Sequence, residues 1–516
     1  MADLQYKEYG TVNKIRGCIV TVVGLENCIN GQLVRFGFGT EGTIIGFDEV
    51  ETSVLLVKEK EPIKTGDAAI MTLEPFNTAV GKKFVGRIVN VLGEPLDNLG
   101  PLEVDNYYPI FANSPSVLQR EVMKETIETG IKAIDSMIPI GRGQRQLILG
   151  DKMTGKTTVG TDIILNQKGK GVICIYCSIG KGKAALDRVV NLFKARDAFE
   201  YTMIVAALAG ISPGQQYLAP YVACSLGEYF MHKGGHVIVI FDDFTKHAWA
   251  YREISLLLGR PPGRESYPGD IFYLHSRMIE RAAKLSKELG GGSMTFFPIV
   301  ELLEGDLTGY VSTNLVSMTD GQIYLSAPLF GEGFRPAIDA GLSVSRIGNK
   351  VQWPAMKAVS KSLRLEYLQY RELLRVSRLK AGGQKSEEGM DQMKGGELIS
   401  EFLKQDKDDP VPMVKEILLF YGLGKKYFHQ LSIKQVKRLE KEILAFANEK
   451  YPDIIKELST TKKLTTEIEE KIGELYAEYV KILEVDAKMD EIKAEEAERC
   501  EALLRDAEPA EAGQKA

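Results

Sequence analysis

The sequence predicts a multidomain protein with an N-terminal β-barrel, a central α/β domain and a C-terminal α-helical domain. Short β-branched runs separated by Gly, Asn, Asp or Pro fill most of residues 1–93, as in small barrels. Residues 94–352 alternate apolar strands with helical patterns, which is typical of a mostly parallel sheet. The pattern is helical over residues 353–493. An Ala- and Glu-rich tail follows at 494–516, and we expect it to be a frayed helix or disordered.

Length and charge exclude some classes of function. The 516 residues exceed what one hydrophobic core usually holds, which favours two or three domains. The formal net charge of −5 is opposite in sign to a surface built for nucleic acid, so no nucleic-acid partner is expected. Because no apolar run approaches the roughly 20 residues that span a bilayer, membrane contact is expected only through partners. The first residues lack the apolar core of a signal peptide.

The six cysteines do not suggest a disulfide framework in a chain of this length. Cys174 and Cys177 have metal-site spacing, but they lie in an apolar run that is typical of a buried strand. Positions three apart on a strand face opposite sides, and no second pair completes a zinc site. We interpret both as reduced core residues.

The strand predictions rest on apolar and β-branched runs bounded by turn residues. The barrel strands are predicted at Thr11–Val23, Gln32–Phe38, Gly42–Phe47, Ser53–Val57 and Ala68–Thr72. The central strands are predicted at Gln146–Leu149, Val172–Cys177, Thr202–Ala206, His236–Phe241 and Met294–Ile299. In the helical region, Thr466 and Glu469 have the spacing of a capping box for a long helix through Ile482.

The segment Gly150–Thr157, GDKMTGKT, fits the pattern GxxxxGK[ST] of a phosphate-binding loop. It follows the predicted strand Gln146–Leu149 and precedes a stretch with helical spacing, which is the order that a phosphate cradle requires. Backbone N–H groups would surround the phosphates, Lys156 would reach the β and γ oxygens, and the Thr157 hydroxyl would ligate Mg²⁺. The predicted nucleotide-binding residues of this loop are Gly150, Asp151, Lys152, Met153, Thr154, Gly155, Lys156, Thr157 and Thr158.

A second nucleotide feature is the apolar strand His236–Phe241, which ends in Asp242 and Asp243. A carboxylate at the carboxyl end of such a strand can hold Mg²⁺, directly or through water, opposite the loop. We select Asp242 as the metal residue because it is the first acid after the strand, and we expect Asp243 to organise the following turn. The alternative interpretation is a solvated strand end.

Three further stretches resemble the head subunits of rotary ATPases. Gly130–Arg145, GIKAIDSMIPIGRGQR, is similar to the segment that leads into the phosphate loop in that family. Pro336–Ser345, PAIDAGLSVS, is similar to the signature shared by the family's α and β subunits. Arg260–Arg277, RPPGRESYPGDIFYLHSR, resembles the α form and differs from the catalytic β form. Over almost its whole length the chain resembles the α subunits of bacterial F-type ATP synthases.

That resemblance implies a crown barrel, a RecA-like P-loop NTPase domain and a helical domain, the same division that the pattern predicts. It implies ATP and Mg²⁺ as ligands, and a ring in which such chains alternate with β subunits around a γ central stalk. ATP would be made or hydrolysed at the β sites, while this chain holds a nucleotide. The complex would lie at the cytoplasmic face of the bacterial cell membrane and move protons or sodium ions.

Residue 181 decides whether this chain is expected to be catalytic. In catalytic relatives a glutamate directly follows the glycine that closes the strand after the phosphate-loop helix. Here Gly180 is followed by Lys181, where most α subunits carry glutamine. A lysine with an ordinary pKa near 10.4 is protonated at pH 7 and cannot accept a proton. Glu253 is the other nearby acid, and its position on an exposed helix face disfavours it as a base. We expect a non-catalytic site.

Arg346 follows the signature and is similar to the arginine that α subunits supply to the neighbouring β site. A guanidinium placed on the transferred phosphate stabilises charge that develops in the transition state. The alternative is an ordinary surface or interface ion pair.

The resemblance also implies contacts to the adenine end from Phe330, Arg335, Pro336 and Gln405, for which packing or exposure is the alternative. The family usually carries glutamine where Met153 and Lys407 stand here, and both departures remove polar contacts near the nucleotide.

The N-terminus departs from the family as well. Many α subunits begin with a helical extension that docks the peripheral-stalk δ subunit, whereas barrel-like sequence starts here near Tyr9. The attachment of the peripheral stalk therefore stays open.

Three other functions are weighed against the α-type interpretation. A catalytic hexameric ATPase, of rotary or secretion type, is disfavoured by Lys181 and by the α-type segment Arg260–Arg277. A Rho-like RNA translocase also joins a small barrel to such a domain, but residues 1–93 hold no evident cluster of basic and aromatic residues. A structural ring subunit with an empty pocket is harder to exclude from sequence.

Overall fold

A computed structural model describes residues 7–379, 387–429 and 431–483. The chain forms two compact units, the first comprising Met1–Gln352 and Leu403–Pro412, and the second Trp353–Phe402 and Met413–Ala516. The predicted tail at 494–516 lies outside the described residues. The predicted domain boundaries stay predictions.

Six antiparallel strands close a barrel in the order β1-β2-β5-β4-β3-β6. Val20, Val34 and Val54 are fully buried in its core. The predicted strand Thr11–Val23 is two strands, because Gly17 adopts a positive φ of 57° and lets the chain reverse. The barrel itself is confirmed. Its strands are β1 (Lys7–Arg16), β2 (Ile19–Val23), β3 (Gln32–Phe36), β4 (Glu41–Phe47), β5 (Glu51–Lys58) and β6 (Ala68–Pro75).

The central domain is built on a nine-stranded sheet with the main order β19-β18-β12-β17-β15-β13-β14-β8, and β16 pairs beside β17. Its pairings are parallel except for those of β16 and β19. The remaining strands of the first unit are β7 (Asn77–Val80), β8 (Ile88–Val89), β9 (Asn106–Pro109), β10 (Thr126–Ile127), β11 (Ile140–Gly141), β12 (Leu147–Asp151), β13 (Val172–Lys181), β14 (Thr202–Leu208), β15 (His236–Asp242), β16 (Ala283–Lys284), β17 (Ser293–Leu302), β18 (Gly321–Leu325) and β19 (Val344–Ser345).

Helices follow the central strands along the chain, as the alternating pattern predicts. The interior of the sheet is apolar on both faces, because parallel strands are covered by helices on each side. Ile148, Ile175 and Val239 are fully buried, and Cys174 and Cys177 are buried and unbridged, as expected. The helices of this unit are α1 (Lys132–Met137), α2 (Lys156–Leu165), α3 (Lys183–Ala195), α4 (Pro213–His232), α5 (Phe244–Leu257), α6 (Ile271–Ile279), α7 (Tyr310–Met318), α8 (Ala327–Gly331) and α9 (Gly348–Val351).

The second unit is helical, as predicted. Its helices are α10 (Pro354–Ser360), α11 (Leu363–Leu379), α12 (Glu387–Leu403), α13 (Met413–Gly424), α14 (Ile433–Lys450) and α15 (Pro452–Thr461), and residues 466–483 are also helical. That last helix is capped one residue earlier than predicted, because the Thr465 hydroxyl accepts the N–H of Ile468 at 3.3 Å. In the described part of the chain, no helix combines the length and the apolar character needed to cross a membrane.

Candidate nucleotide site

The phosphate loop joins the carboxyl end of β12 to the start of α2, as the sequence predicts. Gly155 precedes the first turn of α2 with φ of 97°, a conformation that favours glycine. At Gly150, a Cβ atom would approach the carbonyl oxygen of Leu325 to 2.5 Å, so this position also requires glycine. The helix N-terminus then faces the loop with unpaired N–H groups, which is a ready site for phosphate.

Lys156 lies inside this loop and is largely buried. Its Nζ donates to the carbonyl oxygen of Asp151 at 2.5 Å, and the Thr154 hydroxyl donates to the same oxygen at 2.8 Å. Burial lowers the pKa of the Lys156 ammonium below its ordinary value. The side chain is therefore folded back along the loop. Burial removes water from its ammonium, and a bound anion would compensate for that loss.

Asp242 is the acid that the sequence places opposite the loop. β13 and β15 are parallel neighbours with Ser178 opposite Asp242, so both strands end at the loop edge of the sheet. The Asp242 side chain is fully buried, and its Oδ2 accepts the Thr157 hydroxyl and the Tyr176 phenol, each at 2.7 Å. Burial and the nearby carboxylate raise the pKa of Tyr176 well above its ordinary value, so this phenol remains a donor.

Lys181, at the end of β13, points at the same acid. Its Nζ lies 2.5 Å from Oδ1 of Asp242 and 3.3 Å from Oγ1 of Thr157. A weaker contact of 3.9 Å reaches Oδ2 of Asp243. A cation therefore stands at the position where catalytic relatives are expected to carry a glutamate.

Asp243 organises the turn into α5, as expected. Its carboxylate accepts the backbone N–H of Lys246 at 2.8 Å and so caps that helix. Burial, followed by the proximity of Asp242, raises the pKa of the Asp243 carboxyl to about 6.

The two predicted magnesium ligands are Thr157 and Asp242, and their donor atoms suit this ion because Mg²⁺ prefers oxygen. No group of three or more His, Cys, Asp or Glu side chains that could hold a metal occurs within residues 7–379, 387–429 and 431–483. A metal at this place would therefore depend on phosphate oxygens for much of its coordination, as is usual for Mg²⁺ bound with a nucleotide. The Lys181 ammonium already contacts both candidate ligands.

A cavity of about 400 Å³ opens beside the loop, between α2 and α8. This cavity is lined both by the residues predicted to contact the adenine end of the nucleotide and by part of the phosphate loop. The guanidinium of Arg335 stacks over the ring of Phe330 at 4.8 Å. The residues predicted from sequence that line this cavity are Met153, Thr154, Gly155, Thr158, Phe330, Arg335, Pro336, Gln405 and Lys407.

Gln405 reaches this cavity from the segment Leu403–Pro412, far away in sequence. Its Nε2 donates to the carbonyl oxygens of Gly130 at 2.7 Å and Asp409 at 2.8 Å, while its Oε1 accepts the N–H of Lys132 at 3.1 Å. Because its amide is engaged within the protein, Gln405 offers the cavity mainly its apolar surface.

Arg346 lies near the opposite end of the sheet from the phosphate loop. β19 pairs with the start of β18, where Ser345 stands opposite Gly321, whereas Gly150 stands opposite Leu325. The four steps of β18 between these positions correspond to about 13 Å of extended chain. Arg346 is exposed, and its guanidinium has no ion pair with another described residue.

Two residues of the site were not anticipated from the sequence. Tyr176 lies within a predicted buried strand, and nothing local marks its contact with Asp242. Asp162 lines the cavity on α2, and its carboxylate accepts the N–H of Asp408 at 3.1 Å. Burial, with a contribution from the carboxylate of Asp408, raises the pKa of Asp162 to about 7. In the sequence, the only signal for Asp162 was its place as an acid on the apolar side of a helix.

Comparison with known proteins agrees with this geometry. Residues 130–345 match the nucleotide-binding domain of the ATP synthase alpha/beta family, and residues 352–479 match the C-terminal domain of the ATP synthase alpha/beta chain. The chain therefore belongs to the ATP synthase alpha/beta family.

Similar proteins indicate the type of subunit within this family. The ATP synthase subunit alpha of Clostridium botulinum strain Hall is 45% identical over 470 residues, covering 91% of this chain and 93% of that protein. The subunits alpha of strains Eklund 17B and Alaska E43 are each 44% identical over 473 residues, covering 92% of this chain and 94% of those proteins. Within its family the chain is of the α-subunit type, which confirms the resemblance seen in the sequence.

Proposed function

We propose that this chain binds ATP without hydrolysing it and lends Arg346 to an ATP site on a neighbouring subunit. In this role it is the non-catalytic, regulatory partner of catalytic β subunits, with which it alternates in a ring around a γ central stalk. The ring would be the head of a proton- or sodium-translocating ATP synthase at the cytoplasmic face of a bacterial membrane. Peripheral-stalk subunits would complete the complex.

The observation that carries the proposal is Lys181. Hydrolysis requires a group that activates the attacking water by accepting its proton, and a lysine paired with Asp242 at 2.5 Å supplies no such carboxylate. Glu253 is exposed on α5, ten residues after the capping Asp243, which is about 15 Å along the helix axis. It is therefore too far along the helix to serve as the base.

Binding of ATP is supported by the phosphate loop and the adjoining cavity. The predicted phosphate contacts are the backbone from Gly150 to Thr158 and the ammonium of Lys156. Phe330 and Arg335 would hold the base between a ring and a guanidinium, with Pro336 and Gln405 packing beside it. Mg²⁺, where it accompanies the nucleotide, would meet Thr157 and Asp242, and it would neutralise phosphate charge there.

Action of Arg346 on another subunit is supported by its place in the fold. A guanidinium at the amino end of β18 is about 13 Å of strand away from its own phosphate loop, but it is exposed to a neighbour. The preceding Ser345 is held firmly, since its hydroxyl donates to the carbonyl of Pro139 at 2.7 Å and accepts Nε2 of Gln144 at 3.0 Å. A fixed backbone and a free charged side chain are suited to positioning a guanidinium across an interface.

The test is an Arg346→Lys variant in a complex reconstituted with its β and γ partners. Lysine keeps the charge and loses the planar fork, so we expect multi-turnover ATP hydrolysis to fall by at least about 100-fold, given that such arginines contribute roughly 10³–10⁵. ATP affinity of the isolated full-length chain should change by less than about twofold. Arg188→Lys, at an exposed position on α3, is the matched control. Normal turnover by the Arg346→Lys complex would refute the role.

The purified chain alone distinguishes the competing functions. We expect it to bind ATP and to show no turnover. Rapid hydrolysis without any partner would favour the catalytic hexameric ATPase instead. Absence of nucleotide from both the chain and the complex would favour a structural subunit with an empty pocket. Family membership gives no support to the RNA translocase.

A further inference from the structure

The phosphate site of this chain carries its own cation. The Lys181 Nζ lies between the Oδ1 of Asp242, at 2.5 Å, and the Oγ1 of Thr157, at 3.3 Å. These are the two side chains that would otherwise ligate Mg²⁺. The lysine side chain is only 22% exposed and Asp242 is fully buried, so this contact is shielded from solvent. Shielded charges interact more strongly than charges at the surface.

An ammonium is a chemically reasonable replacement for the metal. Its three N–H groups and compact charge can bridge a carboxylate and phosphate oxygens, although with longer contacts than the 2.0–2.1 Å of Mg²⁺. The sheet places its backbone beside the acid, because Lys181 ends strand β13 and Asp242 ends the adjacent strand β15. Ser178 and Asp242 are in register, which brings the lysine over the acid from three residues further along the chain.

The charges of the site are consistent with this replacement. Without Lys181, the buried carboxylate of Asp242 would face the phosphates and repel them, and a divalent ion would be needed to bridge the two. With Lys181 present, that carboxylate is already paired, and Lys156 supplies a second fixed positive charge to the loop. The ammonium contacts Oδ1 of Asp242 and Oγ1 of Thr157, so a magnesium ion bound to these two atoms would have to displace it. A magnesium ion bound nearby without displacing it would be repelled by its positive charge.

We propose that Lys181 is a built-in counter-cation which lets this chain bind ATP without a divalent metal. The inference rests on the proposed function, because it concerns the ligand of the same site. It makes the metal requirement of this site different from that of a site with glutamine at this position. Magnesium would still be required wherever a neighbouring subunit performs catalysis.

The experiment measures the dissociation constant of ATP for the purified full-length chain by equilibrium dialysis, in EDTA and in excess MgCl₂. For the unaltered chain we expect the two constants to agree within about threefold. For Lys181→Gln we expect ATP to bind at least about tenfold more weakly in EDTA than in MgCl₂, because the metal must then replace the missing charge. Lys181→Met, which keeps the apolar stem, should behave in the same way and provides a second variant if one folds poorly.

Lys183→Gln is the matched control, since Lys183 is an exposed lysine two residues away at the start of α3. It should retain the metal-independent binding of the unaltered chain. An unaltered chain that loses at least tenfold in affinity when magnesium is removed would overturn the inference and leave the proposed function intact. An unaltered chain that binds no ATP in either solution would overturn both. If Lys183→Gln lost as much ATP affinity in EDTA as Lys181→Gln, the effect would come from general surface charge. That result would also refute the inference.

Discussion

Arg145 and Asp320 form a two-point ion pair beneath the segment that carries Arg346. Nη2 of Arg145 lies 2.7 Å from Oδ1 of Asp320, and its Nε lies 3.0 Å from Oδ2. The backbone carbonyl of the same aspartate accepts the N–H of Arg346 at 2.8 Å. Arg145 lies just before the phosphate-loop strand, so that strand is connected to Arg346 through the single residue Asp320.

Asp320→Asn tests this connection. The side chain of Arg145 is 23% exposed, and its guanidinium would lose its counter-charge. We expect the free energy of unfolding to fall by about 1–3 kcal/mol, the cost of leaving a partly buried charged group poorly paired. Turnover by the reconstituted complex should fall, with the ATP affinity of this chain unchanged, because Asp320 positions Arg346 and contacts no nucleotide. Glu125→Gln removes an ion pair whose acid is 56% exposed and is the control. Unchanged turnover would show that Arg346 does not depend on this pair.

Lys156→Met tests the phosphate loop directly. The substitution removes a buried ammonium whose nearest partner is the carbonyl of Asp151. We expect ATP affinity to fall by about 100-fold, which corresponds to two lost charge-assisted hydrogen bonds to phosphate. Lys152→Met, at an exposed position in the same loop, should change affinity by only a few-fold. Equal losses in the two variants, measured by equilibrium dialysis, would contradict the specific role of Lys156.

Asp162→Asn should change how stability depends on pH. The pKa of Asp162 is about 7 in the folded chain, above its ordinary 3.8, so the folded state retains the proton that the unfolded state loses. The effect of this carboxyl is to make the free energy of unfolding highest at low pH. Its contribution to that free energy is lost as pH rises from about 4 to about 7. The full difference is on the order of 4 kcal/mol.

The asparagine variant keeps the oxygen that accepts the N–H of Asp408 and has no proton to lose. Its unfolding temperature relative to the unaltered chain should rise between about pH 4 and about pH 7, where the folded chain keeps the Asp162 proton and the unfolded chain does not, and should level off above that range. Asp187→Asn, an exposed acid on α3, controls for the loss of a carboxylate. A difference that is constant with pH would show that Asp162 does not keep its proton.

Glu228→Gln addresses a buried ion pair that the sequence did not reveal. Glu228 accepts Nε and Nη2 of Arg281 at 2.6 and 2.7 Å, and the side chains of both residues are at most 5% exposed. Removing the acid leaves a buried guanidinium without its counter-charge, so we expect a loss of about 3–5 kcal/mol in denaturant unfolding. Adding Arg281→Met should recover part of that loss. For comparison, Asp197→Asn, which breaks an exposed pair with Lys168, should cost at most about 1 kcal/mol.

The sequence predicted the parts of the site that are contiguous in the chain. Strand, glycine loop and helix follow one another from Leu147 to Leu165, so local pattern was sufficient for the phosphate loop. Asp242 was predicted for a related reason, because acids at the carboxyl ends of parallel strands meet at one edge of the sheet. The barrel and the helical unit were predicted from period and turn residues, although one predicted strand proved to be two.

Contacts that depend on register and side-chain direction could not be predicted. The strand predicted to end at Cys177 continues to Lys181, and Gly180, with φ of 61°, changes the chain direction just before the lysine. Sequence reasoning identified Lys181 only as a missing base, since its contact with Asp242 requires the alignment of β13 with β15. The hydrogen bonds of Gln405 to Gly130 and Lys132 likewise join segments more than 270 residues apart.

The return of residues 403–412 to the first compact unit has a consequence for synthesis of the protein on the ribosome. A nascent chain that has emerged only as far as Gln352 contains the whole phosphate loop, but the carbonyl of Gly130 and the N–H of Lys132 still lack Gln405. One wall of the nucleotide cavity therefore arrives only after α10, α11 and α12 have been translated. A recombinant fragment that stops at residue 352 would carry the most recognisable part of the site while leaving its pocket open on one side.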